Sequence, residues 1–301
     1  MGRGRALRLG MGAAGGGVLL AIVIAERAQA GDARGVVETL RGADVALLAA
    51  AAVAAAWRYL FSGALLRLLT GLQYGLSVRI STAALAVGAL LPGSQLPGGG
   101  IAYRELLRRG IPRRRALAVS TALILVVPAA SMALLAGPAL LISGLWSPLP
   151  SGWRAVLDVL GIGALVLAAA ILLVVAVGRR ANHAPASLAF GIGGWLADAA
   201  CLWLTAQALH IHLDAAAIPV ACVAAAALIA IPLVPGGVGL VEAAVPFILA
   251  AGATSYSDAA LAVLAWRVFS FWIPTLAGAG AFLSLTHSFR LRTALGRTIV
   301  P

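Results

Sequence analysis

Asp198, Glu242 and Arg267 are charged residues set inside apolar runs. Near the middle of a hydrocarbon layer an unpaired charge costs at least about 2.5–3.5 kcal/mol, so each needs a partner. Glu242 follows a Pro-Gly-Gly break by about one helical turn, and Arg267 lies about eight residues into the next apolar run. Adjacent antiparallel arms bring these two together. The pair reads in two ways. It is a charge pair beside a translocation site, with Arg267 also able to hold a phosphate, or it is a buried lock between segments. Asp198, in Gly193-Gly194-Trp195-Leu196-Ala197-Asp198, is either a proton or coupling-ion site or the cap of a kink.

The breaks themselves are the second chemical signal. Pro97-Gly98-Gly99 and Pro235-Gly236-Gly237 each interrupt an apolar stretch, and each is followed by a glutamate, Glu105 or Glu242. Hydrocarbon does not tolerate unpaired backbone N–H and C=O groups unless protein or a water-filled cavity satisfies them. Broken helices therefore direct their ends at a shared polar site. The amides opening Gly237–Leu240 and Gly99–Ala102 are expected to favour an anionic group there. The candidate substrate-binding residues are thus Pro235, Gly236, Gly237, Glu242, Arg267, Pro97, Gly98, Gly99, Arg104 and Asp198. Arg104 joins a basic cluster at Arg108, Arg109, Arg113, Arg114 and Arg115, at the depth of anionic lipid head groups. Glu105 is expected to pair with Arg108 or Arg109 at helical spacing.

Nothing in the chain reads as catalysis. No Cys or Ser has a His and an acid at matching positions, and no P-loop or dinucleotide fingerprint occurs. His183, His210, His212 and His287 are scattered in loops. Cys201 and Cys222 read as small apolar core residues. No enzyme activity, no metal and no cofactor is expected.

The elements that position these residues follow from composition. Of 301 residues 62% are hydrophobic and 11% charged, with a mean hydropathy of +1.01. A soluble domain carries roughly 25% charged residues. Several apolar runs reach the roughly 20 residues that cross a core about 30 Å thick. The expected fold is all-α, one integral membrane domain over residues 1–301. The net charge of +12 comes entirely from arginine. Its arginines lie in short connections, which indicates membrane orientation rather than nucleic acid.

A basic N-terminal region leads into helix one at Met11 to Ala25, followed by an Ala28-Gln29-Ala30 sequence like a signal-peptidase site. Helix two runs from about Asp44 to Leu66, with Trp57-Arg58-Tyr59 read as its interfacial end. The first broken segment covers Ser81 to Leu107. Ala116 to Ser143, residues 155–178 and residues 186–209 are further crossings. The second broken segment covers Ala215 to Ala251, and Ala259 to Thr286 crosses last. The short second arms suit re-entrant hairpins better than crossings. With about six full spans, sixteen arginines fall on the cytoplasmic side and four outside, so both termini are expected in the cytoplasm. The expected location is the bacterial inner membrane.

The two breaks lie three crossings apart, an odd number, so the second unit is inverted relative to the first. Each unit ends in a long span with an internal proline, Pro128 or Pro274. Repeat units at approximately 76–143 and 215–286, related by inversion, are an architecture of secondary transporters.

The run Ile231-Pro232-Leu233-Val234-Pro235-Gly236-Gly237-Val238-Gly239-Leu240-Val241-Glu242-Ala243, with Ala262 to Pro274 carrying Trp266-Arg267, resembles a family signature. The family is the lysylphosphatidylglycerol synthase membrane domain, also called flippase-like. Leu96-Pro97-Gly98-Gly99 with Arg104, and Trp57-Arg58, are similar to its weaker N-terminal signatures. The resemblance implies a domain that moves aminoacylated phosphatidylglycerol between leaflets, while a separate soluble domain makes that lipid. It maps the family's acid onto Glu242 and its base onto Arg267. The expected function is a flippase-like transporter of an anionic or polyisoprenoid-type lipid, without synthase activity. Two alternatives remain: a non-transporting membrane subunit that recruits a cell-envelope enzyme, and a secondary transporter of a small anionic solute coupled through Asp198. The expected partners are anionic membrane lipids.

Overall fold

A computed structural model describes residues 38–91, 96–128, 130–131, 184–215, 217–230, 234–250 and 254–297. Helix one, the Ala28-Gln29-Ala30 site, the external loop after Ser143 and the span at 155–178 lie outside the described residues. What is described is helical and contains no strand.

Helix α1 spans Val45–Thr70. Asp44 caps it by accepting from the amides of Ala46 and Leu47 at 2.8 and 3.2 Å, and Gly71, at φ 78°, ends it. At 1.5 Å per residue α1 is about 39 Å long, enough to cross a bilayer core. This corrects one expectation. Trp57-Arg58-Tyr59 is the middle of α1 and not its interfacial end, so Arg58 is an intramembrane charge.

Helix α2 (Tyr74–Leu90) and α3 (Leu96–Leu107) form the first hairpin. Helix α4 (Arg113–Thr121) leads through a wide π-helical turn, Ala122–Val126, toward Pro128. Helix α5 covers Ala184–Ala208. Helix α6 (Ala217–Ala230) and α7 (Leu240–Ala250) form the second hairpin, with a 3₁₀ turn at Pro235–Gly237 between them. Helix α8 (Tyr256–Arg267) passes through a second π-helical turn, Val268–Trp272, into α9 (Ile273–Arg297). Each π turn stops two residues before a proline, Pro128 or Pro274. A proline lacks the N–H that would close the preceding turn and clashes with the carbonyl four residues back, and a widened turn relieves both. The matched prolines of the sequence thus carry a matched backbone deformation.

Among the described residues, three stretches are long and apolar enough to cross a membrane: Val45–Thr70, Pro185–Ala208 and Tyr256–His287. The chain is a multi-pass membrane protein. The hairpin arms α3, α6 and α7 contain 12, 14 and 11 residues, and each falls short of the roughly 30 Å core.

Hydrogen bonds tie the helix ends into two opposite groups. At the C-terminal end of α1, Arg115 of α4 donates to the Leu69 carbonyl at 3.1 Å. This end holds the base of the first hairpin. At the N-terminal end of α1, the Asp44 amide donates to the Ala208 carbonyl at 2.9 Å, and Thr254 donates to the His212 carbonyl at 2.5 Å. This end holds the base of the second hairpin. The hairpins therefore start from opposite ends of α1, and they meet: a Cβ on Gly236 would lie 3.0 Å from the Ala89 carbonyl near the tip of α2.

Two apolar cores flank that meeting point. Ala51 and Ala55 of α1 pack with Leu202, Ala221, Val241, Val263 and Trp266. Leu65 and Leu66 pack with Ile80, Ala83, Ala102, Val119 and Leu285. Arg58, Tyr59 and Ser62 sit on α1 between these cores. A polar waist thus divides the core halfway along α1.

Candidate functional site

The 3₁₀ turn between α6 and α7 is built from glycines with left-handed backbone, Gly236 at φ 60°, Gly237 at φ 64° and Gly239 at φ 89°. Residues with a Cβ are strained there. At Gly236 a side chain would also overlap the Phe271 ring. The glycines reverse the chain so that the Gly236 carbonyl points at α8, where the last residue, Arg267, receives it: one guanidinium nitrogen donates to Gly236 O at 2.9 Å. Nε of Arg267 donates to Glu242 Oε1 at 2.7 Å. The ion pair expected from the sequence is formed, and it is dry, with the side chains of Arg267 and Glu242 only 3% and 7% exposed. Phe271 closes one face, its ring centre 4.1 Å from the guanidinium carbon.

Glu242 Oε2 accepts from the Gly239 amide at 2.7 Å. A carboxylate in the first turn of α7 satisfies an amide that the helix leaves open. This corrects the expectation of an anion-binding amide end at Gly237–Leu240, because the protein's own Glu242 takes the Gly239 amide. It also corrects the first break. Helix α3 begins at Leu96, so the amides of Gly100–Ala102 lie inside the helix, and Gly99–Ala102 does not open it.

Pro97 is the second residue of α3, and the near neighbours of Gly98 and Gly99 lie outside the Gly236 turn. Gly98 is buried against α2, where a Cβ would overlap the Ala84 carbonyl oxygen, and a Cβ on Gly99 would lie 3.9 Å from Ile124 of the first π turn. These residues pack the hairpin. Arg104 is exposed, with its guanidinium carbon 6.0 Å from the Phe282 ring centre on α9. Glu105 binds Arg108 at 2.5 Å and Arg109 at 2.7 Å, as helical spacing predicts.

Asp198 caps no kink. It stands in the middle of α5 and binds Arg58 of α1 at 2.8 Å. The Gly193-Gly194-Trp195 sequence makes this contact possible: a Cβ on Gly193 would lie 3.1 Å from the Phe61 ring, and one on Gly194 3.9 Å from the Arg58 stem. The absence of side chains there lets α1 lie close to α5. Trp195 stacks its ring 5.3 Å from the Arg58 guanidinium and donates from Nε1 to the Pro128 carbonyl at 3.2 Å. Arg58 is the functional candidate that the sequence reading passed over. Its signal was present, a lone arginine 14 residues into a 26-residue apolar helix.

A hydrogen bond joins the two helical segments that carry Arg58 and Arg267. Tyr59, next to Arg58, donates to the Ser270 carbonyl at 3.2 Å. Ser270 O is the carbonyl left without its usual donor by Pro274, four residues on. Asp198 Oδ1, Ser131 Oγ and Trp266 Nε1 are buried and have no hydrogen-bond partner among the described residues. Below the waist, an apolar groove of about 480 Å³ runs along α1 between Trp57, Phe61, Arg67, Tyr74 and Phe190.

No curated protein matches the chain at a significant level. The family model of the Lysylphosphatidylglycerol synthase TM region matches residues 179–278, about a third of the chain. This stretch contains Asp198, Glu242 and Arg267 and the whole second hairpin, but not Arg58. Over residues 179–278 the chain is thus similar to the lysylphosphatidylglycerol synthase TM region.

Proposed function

We propose that this protein is a flippase-like transporter that moves an anionic or polyisoprenoid-type lipid between leaflets, and that it makes no lipid itself. One observation carries the reading: two hairpins based at opposite ends of α1 meet at a polar waist, where the Gly236 turn lies against Ala89 near the end of α2. In this reading the hairpins are re-entrant, related by inversion, and their junction is the point where access alternates. The waist holds two arginines, each neutralised by an internal acid. An anionic head group that displaces one acid finds a guanidinium already positioned, and a neutral site then requires the displaced acid to take up a proton. The groove from Trp57 to Arg67 suits the remaining part of such a substrate, with an apolar wall for a chain and an arginine at its mouth. The exposed Arg104, Arg113, Arg114 and Arg115 suit attraction of anionic lipid to the same end.

The test is a leaflet-sidedness assay with labelled phosphatidylglycerol in proteoliposomes. Wild type is compared with Glu242→Gln and Arg267→Ala, each checked for intact folding by thermal unfolding. Folded variants with strongly reduced exchange are expected. Equal exchange in all three rejects the site.

A further inference from the structure

We infer that Asp198 is a proton-binding site, and that its protonation frees Arg58 to hold an anion. This deepens the transport reading and rests on it for its physiological meaning, although its chemistry is testable separately.

The inference starts from an asymmetry between the two ion pairs. In the Glu242–Arg267 pair, both carboxylate oxygens are occupied, one by Arg267 and one by the Gly239 amide. In the Asp198–Arg58 pair, only Oδ2 is used. Oδ1 is buried and has no partner among the described residues, and Asp198 is only 3% exposed. A buried charged oxygen without a donor is costly, and a proton on Oδ1 replaces that buried charge with a neutral acid. The partner differs as well. The side chain of Arg58 is 29% exposed, whereas that of Arg267 is 3% exposed. Arg58 is thus the arginine that an incoming anion meets.

The charged and titratable groups that face Asp198 come from its own helix and from three others. Helix α1 presents Arg58 and Tyr59, α6 presents Cys222, and Asp198's own helix presents Cys201. Helix α8 carries Arg267, which is held by Glu242 and the Gly236 carbonyl. A metal cation fits poorly, because sodium-sized and larger ions need several oxygen ligands. Among the described residues no cluster of three or more His, Cys, Asp or Glu is formed. A guanidinium 2.8 Å from the carboxylate also repels a second cation.

The step balances in charge and atoms. A proton from water bonds to Oδ1, the Asp198 charge goes from −1 to 0, and the Arg58–Asp198 attraction is lost. Arg58 keeps its charge and binds a monoanion. The site is neutral before, as carboxylate and guanidinium, and neutral after, as acid, guanidinium and anion. Burial of net charge is avoided in both states. Proton and anion binding therefore favour each other, one for one.

The experiment uses infrared difference spectra of the full-length protein in vesicles taken from about pH 9 to about pH 5. A carboxylic acid carbonyl band is expected on acidification, absent in Asp198→Asn and kept in Glu242→Gln. Because Asp198→Asn can fail to fold, Arg58→Gln provides a second reading: the band must appear at higher pH, since the guanidinium no longer holds the charged form. Binding of short-chain phosphatidylglycerol, followed through Trp195 fluorescence, is expected to tighten by up to about tenfold per pH unit on acidification in wild type. In Asp198→Asn it should not change with pH. A wild-type spectrum without an acid band that is sensitive to Asp198, or binding independent of pH, overturns the inference. A band and pH-dependent binding without leaflet exchange uphold the proton site and remove the transport reading instead.

Discussion

Replacing one member of the Glu242–Arg267 pair should damage the protein more than replacing both. Arg267→Met leaves the Glu242 carboxylate buried with only the Gly239 amide, having lost a charge-assisted bond of 2.7 Å. It also removes the donor to the Gly236 carbonyl that fixes the left-handed turn. A charge-assisted bond contributes about 1.5–3 kcal/mol, and an orphaned buried acceptor costs about 1–3 kcal/mol. The total, about 2.5–6 kcal/mol, brackets the usual cost of about 3–5 kcal/mol for stranding one buried charge. Glu242→Gln strands the Arg267 charge in turn, at about 3–5 kcal/mol, because the amide oxygen accepts from only one of Gly239 and Arg267 and the amide nitrogen faces the other donor. In the double variant no charge remains to be stranded, so its cost should fall below that of Arg267→Met. The coupling between the sites should reach about 2 kcal/mol in a double-mutant cycle. Thermal unfolding of the purified protein in detergent, followed by intrinsic fluorescence, gives the ranking. The leaflet assay then separates the roles: a stable double variant that exchanges no lipid shows that the pair does more than hold the hairpin. Additive losses in the cycle would refute the reasoning, since they would mean that the two residues do not interact in the folded protein.

Two further perturbations test the packing around the waist. Tyr59→Phe removes the donor to Ser270 O and should cost about 0.5–1.5 kcal/mol in thermal unfolding. In a Pro274→Ala background the backbone regains a donor, so the same change should cost less; an equal cost in both backgrounds contradicts the assigned role. Gly98→Ala places a methyl group on the Ala84 carbonyl oxygen and should lower the unfolding temperature through an overpacking cost of about 1–3 kcal/mol. Gly280→Ala on α9, with nothing within 4 Å, should be neutral or stabilising. The reverse order would place the first hairpin elsewhere.

What the sequence by itself determined was everything governed by local chemistry. Hydropathy over runs of about 20 residues settles that helices cross a membrane. Pro and Gly in the apolar runs mark both hairpins, but only Gly236 and Gly237 break the backbone with left-handed residues, whereas Pro97, Gly98 and Gly99 fall in the first turn of α3, where proline costs no hydrogen bond. Glu242 and Arg267 lie 25 residues apart across one turn between arms, so their meeting was also legible. The tertiary structure decided what depends on contacts distant in the chain. Arg58 and Asp198 are 140 residues apart, and nothing near Arg58 shows that α5 supplies its acid through a two-glycine gap. The opening of α7 looked like an anion site until the fold turned Glu242 back onto Gly239. The contact of Gly236 with Ala89 is likewise invisible in either segment alone. Apolar periodicity states that a helix is buried, but which side chain faces which is set by helix packing. A buried charge takes the nearest opposite charge in space, however far away that residue lies in the chain.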